Sequence, residues 1–462
     1  MQKNKFFLVA LSVFLMSFLL IACSHQQVAQ DSAAKIRLPA QTAAGGLAED
    51  SDPAYSISLS LTNHPINWDN AQGNLQISRL IGLYSNAEGA PEANFIRLAK
   101  SSVDIEIYEM SDPAVRAALQ DALARKITVR VVEEPKAIGH KCDVWADGGS
   151  TPSCQDEQSL RAQIIAAGGR FEKFDKSTLC GMQPSAKPGR CYQHGKMIVI
   201  DANSSANKLA LVSSGNFNSS NLCDQAANPK VCNRDYSYIT RDPDVITTLE
   251  QVFEGDLNDQ RQDILGLLAS HQVSTKLTVS PYSMDPLKNF LESAHTSIQL
   301  QNQYVNPDSG IADILMEMAG KGVHVEAQVA DLCAYGKPKE TNSLVQKRLM
   351  FQEMETKGVG IRMFPQAHRI GGHGGYLHAK AIVVDGQRAW VGSVNGSGTS
   401  LNKNREFGIF FNNPARVQAL STYMKQDYND PSSQTWQDSF QCRGSKSSDT
   451  LTTDDGDSDE QE

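Results

Sequence analysis

No two cysteines in this 462-residue chain stand three apart, so the C-x2-C pair common to structural zinc sites is missing. No carboxylate cluster suggests a divalent-ion site either, and neither metal nor cofactor is expected. Basic charge is short: 43 Lys and Arg face 52 Asp and Glu, a formal net charge of −9. A chain built to grip a nucleic acid is normally basic, so nucleic acid is not the expected partner. The apolar run at 6–21 is 16 residues long, short of the roughly 20 that span a bilayer. Material for a core is not lacking, since 40% of residues are hydrophobic. The length fits two or three domains, or one unit of two similar halves.

The ends read as appendages. Lys3 and Lys5 precede the apolar run, which closes on Leu20-Ile21-Ala22-Cys23, and residues 1–22 form a targeting segment. That ending resembles the bacterial lipoprotein processing box. The resemblance implies that Cys23 becomes the acylated first residue of an exported protein, held at the outer membrane, its periplasmic face or the cell surface. A single membrane-anchor helix is the alternative. Residues 23–77 read as a tether, with an edge strand and short helix at 55–68 as the alternative. Residues 443–462 are Ser/Thr-rich and then acidic, the composition of a disordered tail. Eight further cysteines in an exported chain suggest disulfides. Their spacing suggests local pairs Cys142–Cys154, Cys180–Cys191 and Cys223–Cys232, with Cys333–Cys442 as a long-range staple.

Between the ends, helix and strand patterns alternate, and they do so twice. A helix at 91–100, a strand at 101–108, a helix at 113–126 and a strand at 127–132 are followed later by the same series at 286–294, 297–300, 311–320 and 323–329. Asn94-Phe95-Ile96 matches Asn289-Phe290-Leu291. The expectation is an α/β protein of two similar halves, 78–275 and 276–442, each a mixed sheet covered by helices. Residues 139–159 and 180–190 read as Cys-lined loops, 245–255 and 261–271 as helices carrying the chain across, and 369–375 as a surface loop near a site. His373 reads as a loop residue near a cleft, and Trp390 as core.

One stretch occurs in both halves. Tyr192-Gln193-His194-Gly195-Lys196 leads through a β-branched run to Asp201, then to Ser213-Ser214-Gly215-Asn216; Tyr376-Leu377-His378-Ala379-Lys380 leads to Asp385, then to Gly392-Ser393-Val394-Asn395. His and Lys two residues apart on a strand face the same side. Asp201 and Asp385, of opposite parity, read as structural. One copy is half a site; two copies bring two His, two Lys and two Asn around one anion. That set suits phosphoryl transfer through covalent catalysis, one His attacking phosphorus and the other moving the proton, while Lys196, Lys380, Asn216 and Asn395 stabilise charge on the oxygens. Ser214 and Ser393 either bond within the site or shape the turn.

The doubled stretch resembles the two HxK(x)4D(x)6GSxN signatures of the phospholipase D superfamily. The second copy fits in full. The first places 11 residues between Asp201 and Ser213 and has Ser213 in place of Gly. The resemblance covers roughly residues 80–411. It implies a bilobal fold with a pseudo-twofold axis, motifs meeting between the halves, and a phosphohistidine intermediate without metal. It further implies a carboxylate after each motif to orient a histidine: Glu406 in Asn404-Arg405-Glu406, and Asp235 in Asn233-Arg234-Asp235. By resemblance to lipid-hydrolysing members, His194 is the expected nucleophile and His378 the general acid and base. The expected function is phospholipase D hydrolysis of glycerophospholipid in a membrane, with or without transphosphatidylation. A cardiolipin synthase-like transferase and a superfamily endonuclease are the alternatives, and an anchored binding protein that has lost activity is a third. A monomer is the default expectation.

Overall fold

The computed structural model describes residues 82–85, 90–137, 142–146, 151–180, 191–224, 227, 231–333, 341–365, 369–370 and 373–441. The targeting segment, the tether, Cys23, Cys442 and the acidic tail lie outside the described residues.

Seven strands form the first sheet: β1 (Gly82–Ser85), β2 (Ser102–Ile107), β3 (Thr128–Glu133), β4 (Arg170–Lys173), β5 (Lys196–Ile200), β6 (Leu209–Ser213) and β7 (Tyr236–Thr240), in the order β1-β7-β6-β5-β2-β3-β4. The second sheet uses β8 (Leu277–Ser280), β9 (Ser297–Asn302), β10 (His324–Ala330) and β11 (Gly360–Phe364). After a two-residue pair, β12 (Arg369–Ile370) and β13 (His373–Gly374), it is completed by β14 (Lys380–Val384), β15 (Arg388–Gly392) and β16 (Glu406–Phe411). Its order, β8-β16-β15-β14-β9-β10-β11, repeats the first strand for strand. In each half the βαβ stretch runs parallel, β2-β3-β4 and β9-β10-β11, and the motif hairpin adds antiparallel. The fold is α/β, two similar halves with mixed sheets.

Strand periodicity assigns the residues to three cores. Met197, Val199, Ala210, Val212, Tyr236 and Tyr238 of the first sheet share one cluster with Ala381, Val383, Ala389, Val391, Phe407 and Ile409 of the second. Their neighbours of opposite parity turn outward. Ile198, Ile200 and Leu211 join Val103 and Ile105 in the first half; Ile382, Val384 and Trp390 join Ile298 and Leu300 in the second. Each sheet is therefore buried on both faces, which explains why the motif strands are unbroken apolar runs.

Three readings of the chain need correction. The helix Pro152–Ala166 begins inside the expected 139–159 loop: Thr151 Oγ1 accepts from Cys154 N (3.2 Å) with Pro152 at the first helical position. Its buried face carries Glu157 and Cys154 among the apolar residues, which interrupted the apolar stripe. The helix Pro243–Leu257 is not a simple connector; it packs on β2, β3 and β5 just as Pro414–Asn429 packs on β9, β14 and β15. Finally, the glycine-rich approach forms β12 and β13, and Gly374 bridges to Val231 of the first half.

Disulfides join Cys142–Cys154, Cys180–Cys191 and Cys223–Cys232.

Candidate active site

The motif histidines do not lie on the strands. β5 and β14 open at Lys196 and Lys380, and each histidine stands two residues ahead. Each lysine folds back so that its Nζ donates to the carbonyl of its own histidine, at 2.6 Å for Lys196 and 2.7 Å for Lys380. Lys380 Nζ also lies 3.2 Å from His378 Nε2. All four side chains are buried, with His194 and His378 each 1% exposed.

The approaches to the motifs are clasped by the opposite half. His194 N donates to Arg405 O (2.9 Å) and Arg405 N to Tyr192 O (2.9 Å); His378 N donates to Arg234 O (3.1 Å) and Arg234 N to Tyr376 O (2.8 Å). Both arginines are buried against a carboxylate from the half they reach into. Arg405 Nε and Nη2 donate to Asp256 at 2.6 and 3.0 Å, and Arg234 Nε and Nη2 to Asp427, both at 2.8 Å. These paired donors fix direction as well as distance.

The residue after each arginine is the histidine's partner, and the pairing is crossed. His194 Nδ1 lies 2.9 Å from Glu406 Oε2, and His378 Nδ1 lies 2.9 Å from Asp235 Oδ1. Other donors hold the carboxylates. Asp235 accepts from Ser214 Oγ and Asn221 Nδ2, both at 2.7 Å; Glu406 accepts from Ser400 Oγ (2.5 Å) and Asn404 Nδ2 (3.1 Å). The two differ in charge. Burial pushes the Glu406 carboxyl up to about 7, against the pull of Lys196 and its hydrogen bonds. For Asp235 burial is outweighed: His378, Lys380 and Ser214 together hold it below the ordinary carboxylate range.

Asn216 and Asn395 follow β6 and β15 and are buried, each with its Oδ1 lacking a hydrogen-bond partner among the described residues. Asn395 Nδ2 donates to Tyr304 Oη (3.1 Å). Ser214 and Ser393 play matched parts: Tyr236 N donates to Ser214 Oγ (3.0 Å) and Phe407 N to Ser393 Oγ (3.1 Å). The motif aspartates stand at the far ends of β5 and β14, away from this cluster. Asp201 accepts from the backbone N–H of Lys100, Ser101 and Ser102, and Asp385 from His295, Thr296 and Ser297. The side chain of His373 lies outside the described residues.

Several contributors carried no sequence signal beyond position. Tyr108 packs edge-on to His194, with ring centroids 4.9 Å apart, and its ring lies 5.3 Å from Lys196 Nζ. Ser400, Asn221 and Tyr304 are equally ordinary in sequence. The buried arginines were legible in principle, since Asn-Arg-acid stands in both halves.

The family model described as "Cardiolipin synthase, PLD-like domain" matches residues 93–257 and 287–428. Among curated proteins, a probable cardiolipin synthase, YwiE, of Bacillus subtilis (strain 168) is 26% identical over 140 residues, 30% of this chain. That match spans a quarter of the relative, 25% of its length. The phosphatidylserine synthase of Haemophilus influenzae Rd KW20 aligns over 76% of this chain and 85% of its own, with TM-score 0.51 and 16% identity. The polyphosphate kinase of Porphyromonas gingivalis aligns over 79% and 50%, with TM-score 0.51 and 13% identity. At these identities the two structures speak to the fold.

Proposed function

The chain belongs to the cardiolipin synthase, PLD-like domain family, and we propose that it exchanges one ester of a phospholipid phosphodiester through a phosphohistidine. The crossed His–carboxylate pairs are the observation that carries this reading, because each histidine is complete only with the other half's acid. His194, beside the weaker charge of Glu406, attacks phosphorus with Nε2. The P–O bond to the leaving alcohol breaks as His378, beside ionised Asp235, hands its proton to that oxygen. In the second step an acceptor hydroxyl gives its proton to His378 while its oxygen attacks phosphorus and the P–N bond breaks. Lys196, Lys380, Asn216 and Asn395 hold the non-bridging oxygens throughout.

Sequence reasoning placed hydrolysis first. The curated relative and one of the two similar solved structures are named as synthases, and burial of both histidines keeps bulk water from the intermediate. Both support an alcohol as acceptor, with water as the second reading. We place the protein on the outer side of a bacterial membrane, anchored through Cys23. Incorporation of labelled palmitate by wild type and not by Cys23→Ala is the expected result.

The chemistry is tested by incubating the protein with mixed phospholipid vesicles, EDTA and a primary alcohol, and reading products by mass spectrometry. Phosphatidyl-alcohol from wild type, and none from His194→Ala or His378→Ala, is expected. Phosphatidic acid alone would make water the acceptor. No lipid product, with degradation of added DNA, would replace this reading with a nuclease.

A further inference from the structure

The catalytic groups repeat in both halves, yet a substrate phosphodiester has two different sides. A site that handles it in one direction must break its own symmetry. The helices Pro152–Ala166 and Asn342–Thr356 are equivalent, each opened by a threonine cap, Thr151 on Cys154 N and Thr341 on Leu344 N, both at 3.2 Å. Six residues past each cap a charged side chain is buried: Glu157 in the first half and Lys347 in the second. The register is the same and the sign is opposite.

Lys347 is 5% exposed. No carboxylate among the described residues lies within ion-pair distance of it; Asp308 acts on it only from farther off. Its Nζ sits 5.8 Å from the centre of the Tyr304 ring, and Tyr304 Oη accepts from Asn395 Nδ2. One aromatic ring thus separates this ammonium from a residue of the reaction centre. Burial pulls it down to about 8, opposed by Asp308. An ammonium held out of water with no counter-ion among the described residues is costly, and a methionine of similar volume would pack there at less cost. A cation kept in such a place is explained by an anion that arrives with a ligand.

We propose that Lys347 recognises an oxyanion of the lipid other than the phosphorus under attack, a carboxylate or second phosphodiester carried by head group or acceptor. This rests on the phospholipid reading above and adds a direction to it: the anionic side of the substrate lies toward the second half.

The full chain, Lys347→Met and Lys347→Arg are compared on phosphatidylserine and phosphatidylcholine in neutral detergent micelles. Lys347→Met is expected to raise KM for phosphatidylserine about tenfold, keep kcat within about twofold, leave phosphatidylcholine unchanged, and hold or raise Tm. Lys347→Arg should retain phosphatidylserine. Equal losses on both lipids, or a lower Tm, would mean a packing role and overturn the proposal. If wild type turns over neither lipid, the reaction assignment fails while Lys347 is still tested by acetylation of the His194→Ala chain at pH 8. Protection of Lys347 by phosphatidylserine micelles and not by phosphatidylcholine supports the role; protection by neither, or by both alike, sinks it.

Discussion

Glu406 and Asp235 do the same geometric work from opposite halves, each 2.9 Å from a histidine Nδ1, but they do not carry the same charge. Asp235 stays ionised because His378, Lys380 and Ser214 outweigh its burial, while burial keeps Glu406 near the point of protonation, about 7. Replacing each by its amide keeps one polar group in place and removes the charge. The loss should be larger where the charge was firm. Asp235→Asn is expected to lower kcat on the order of 10⁴-fold, as for the acid of a Ser-His-Asp triad. Glu406→Gln should lower it by about 100-fold, the low end of a lost general acid–base contribution. Single-turnover measurements at neutral pH would check the ranking, and the reverse order would exchange the roles assigned to His194 and His378.

At the scale of the element, the two motif hairpins look interchangeable but are not. A Cβ at Gly195 would stand 2.5 Å from the ring of Phe407, whereas the matching position in the second half is Ala379. Gly195→Ala should therefore cost about 1–3 kcal/mol as overpacking of a full core, with Phe407→Leu in the same chain restoring part of it; denaturant melts of the two variants decide this. The asymmetry is invisible in sequence because Phe407 belongs to the other half, 212 residues from Gly195. The same reason separates what was legible from what was not. Strands β5 and β14 read directly, as each is a continuous apolar run behind a His-Lys pair. Asp201 and Asp385, read as structural from parity, accept backbone N–H groups at the far ends of β5 and β14. The helix Pro152–Ala166 did not read, since Glu157 and Cys154 occupy its buried face. Glu406 and Asp235 were named from the family resemblance, but their exchange between halves depends on packing that no local pattern encodes. Arg405 and Arg234 produce that exchange, and their burial against Asp256 and Asp427 is likewise long-range.

Taken whole, the molecule buries several carboxyls, among them Glu92, Glu106 and Glu406, and this sets how its stability answers to pH. Burial holds Glu92, Glu250 and Glu406 up to about 7. It raises Glu106 well above its ordinary value, helped by neighbouring Asp256. In the unfolded chain such groups release their protons near 4.3. Between that point and about 7 the folded chain holds protons that the unfolded chain has lost, so stability falls as pH rises through the window. Asp235 and Asp385 act in the other direction. Both are held below the ordinary range, despite burial, by His378 and Lys380 for one and by backbone N–H groups for the other. Their contribution is present above the unfolded value and is lost as pH falls through their own. The balance places the maximum of Tm near pH 5, with a decline toward pH 8 rather than the broad neutral plateau of many proteins. Glu106 offers a check within the same experiment. Its counterpart in the second sheet is Gln301, whose Nε2 donates to Asp427 at 3.1 Å. A protonated Glu106 does the same beside Asp256, so Glu106→Gln should fold with the same contacts and no proton to lose. Calorimetry from pH 5 to 8 should show the variant gaining on wild type as pH rises. A wild-type Tm that climbs over that range, or a variant that falls in parallel with it, would mean that these carboxyls are ionised in the folded chain.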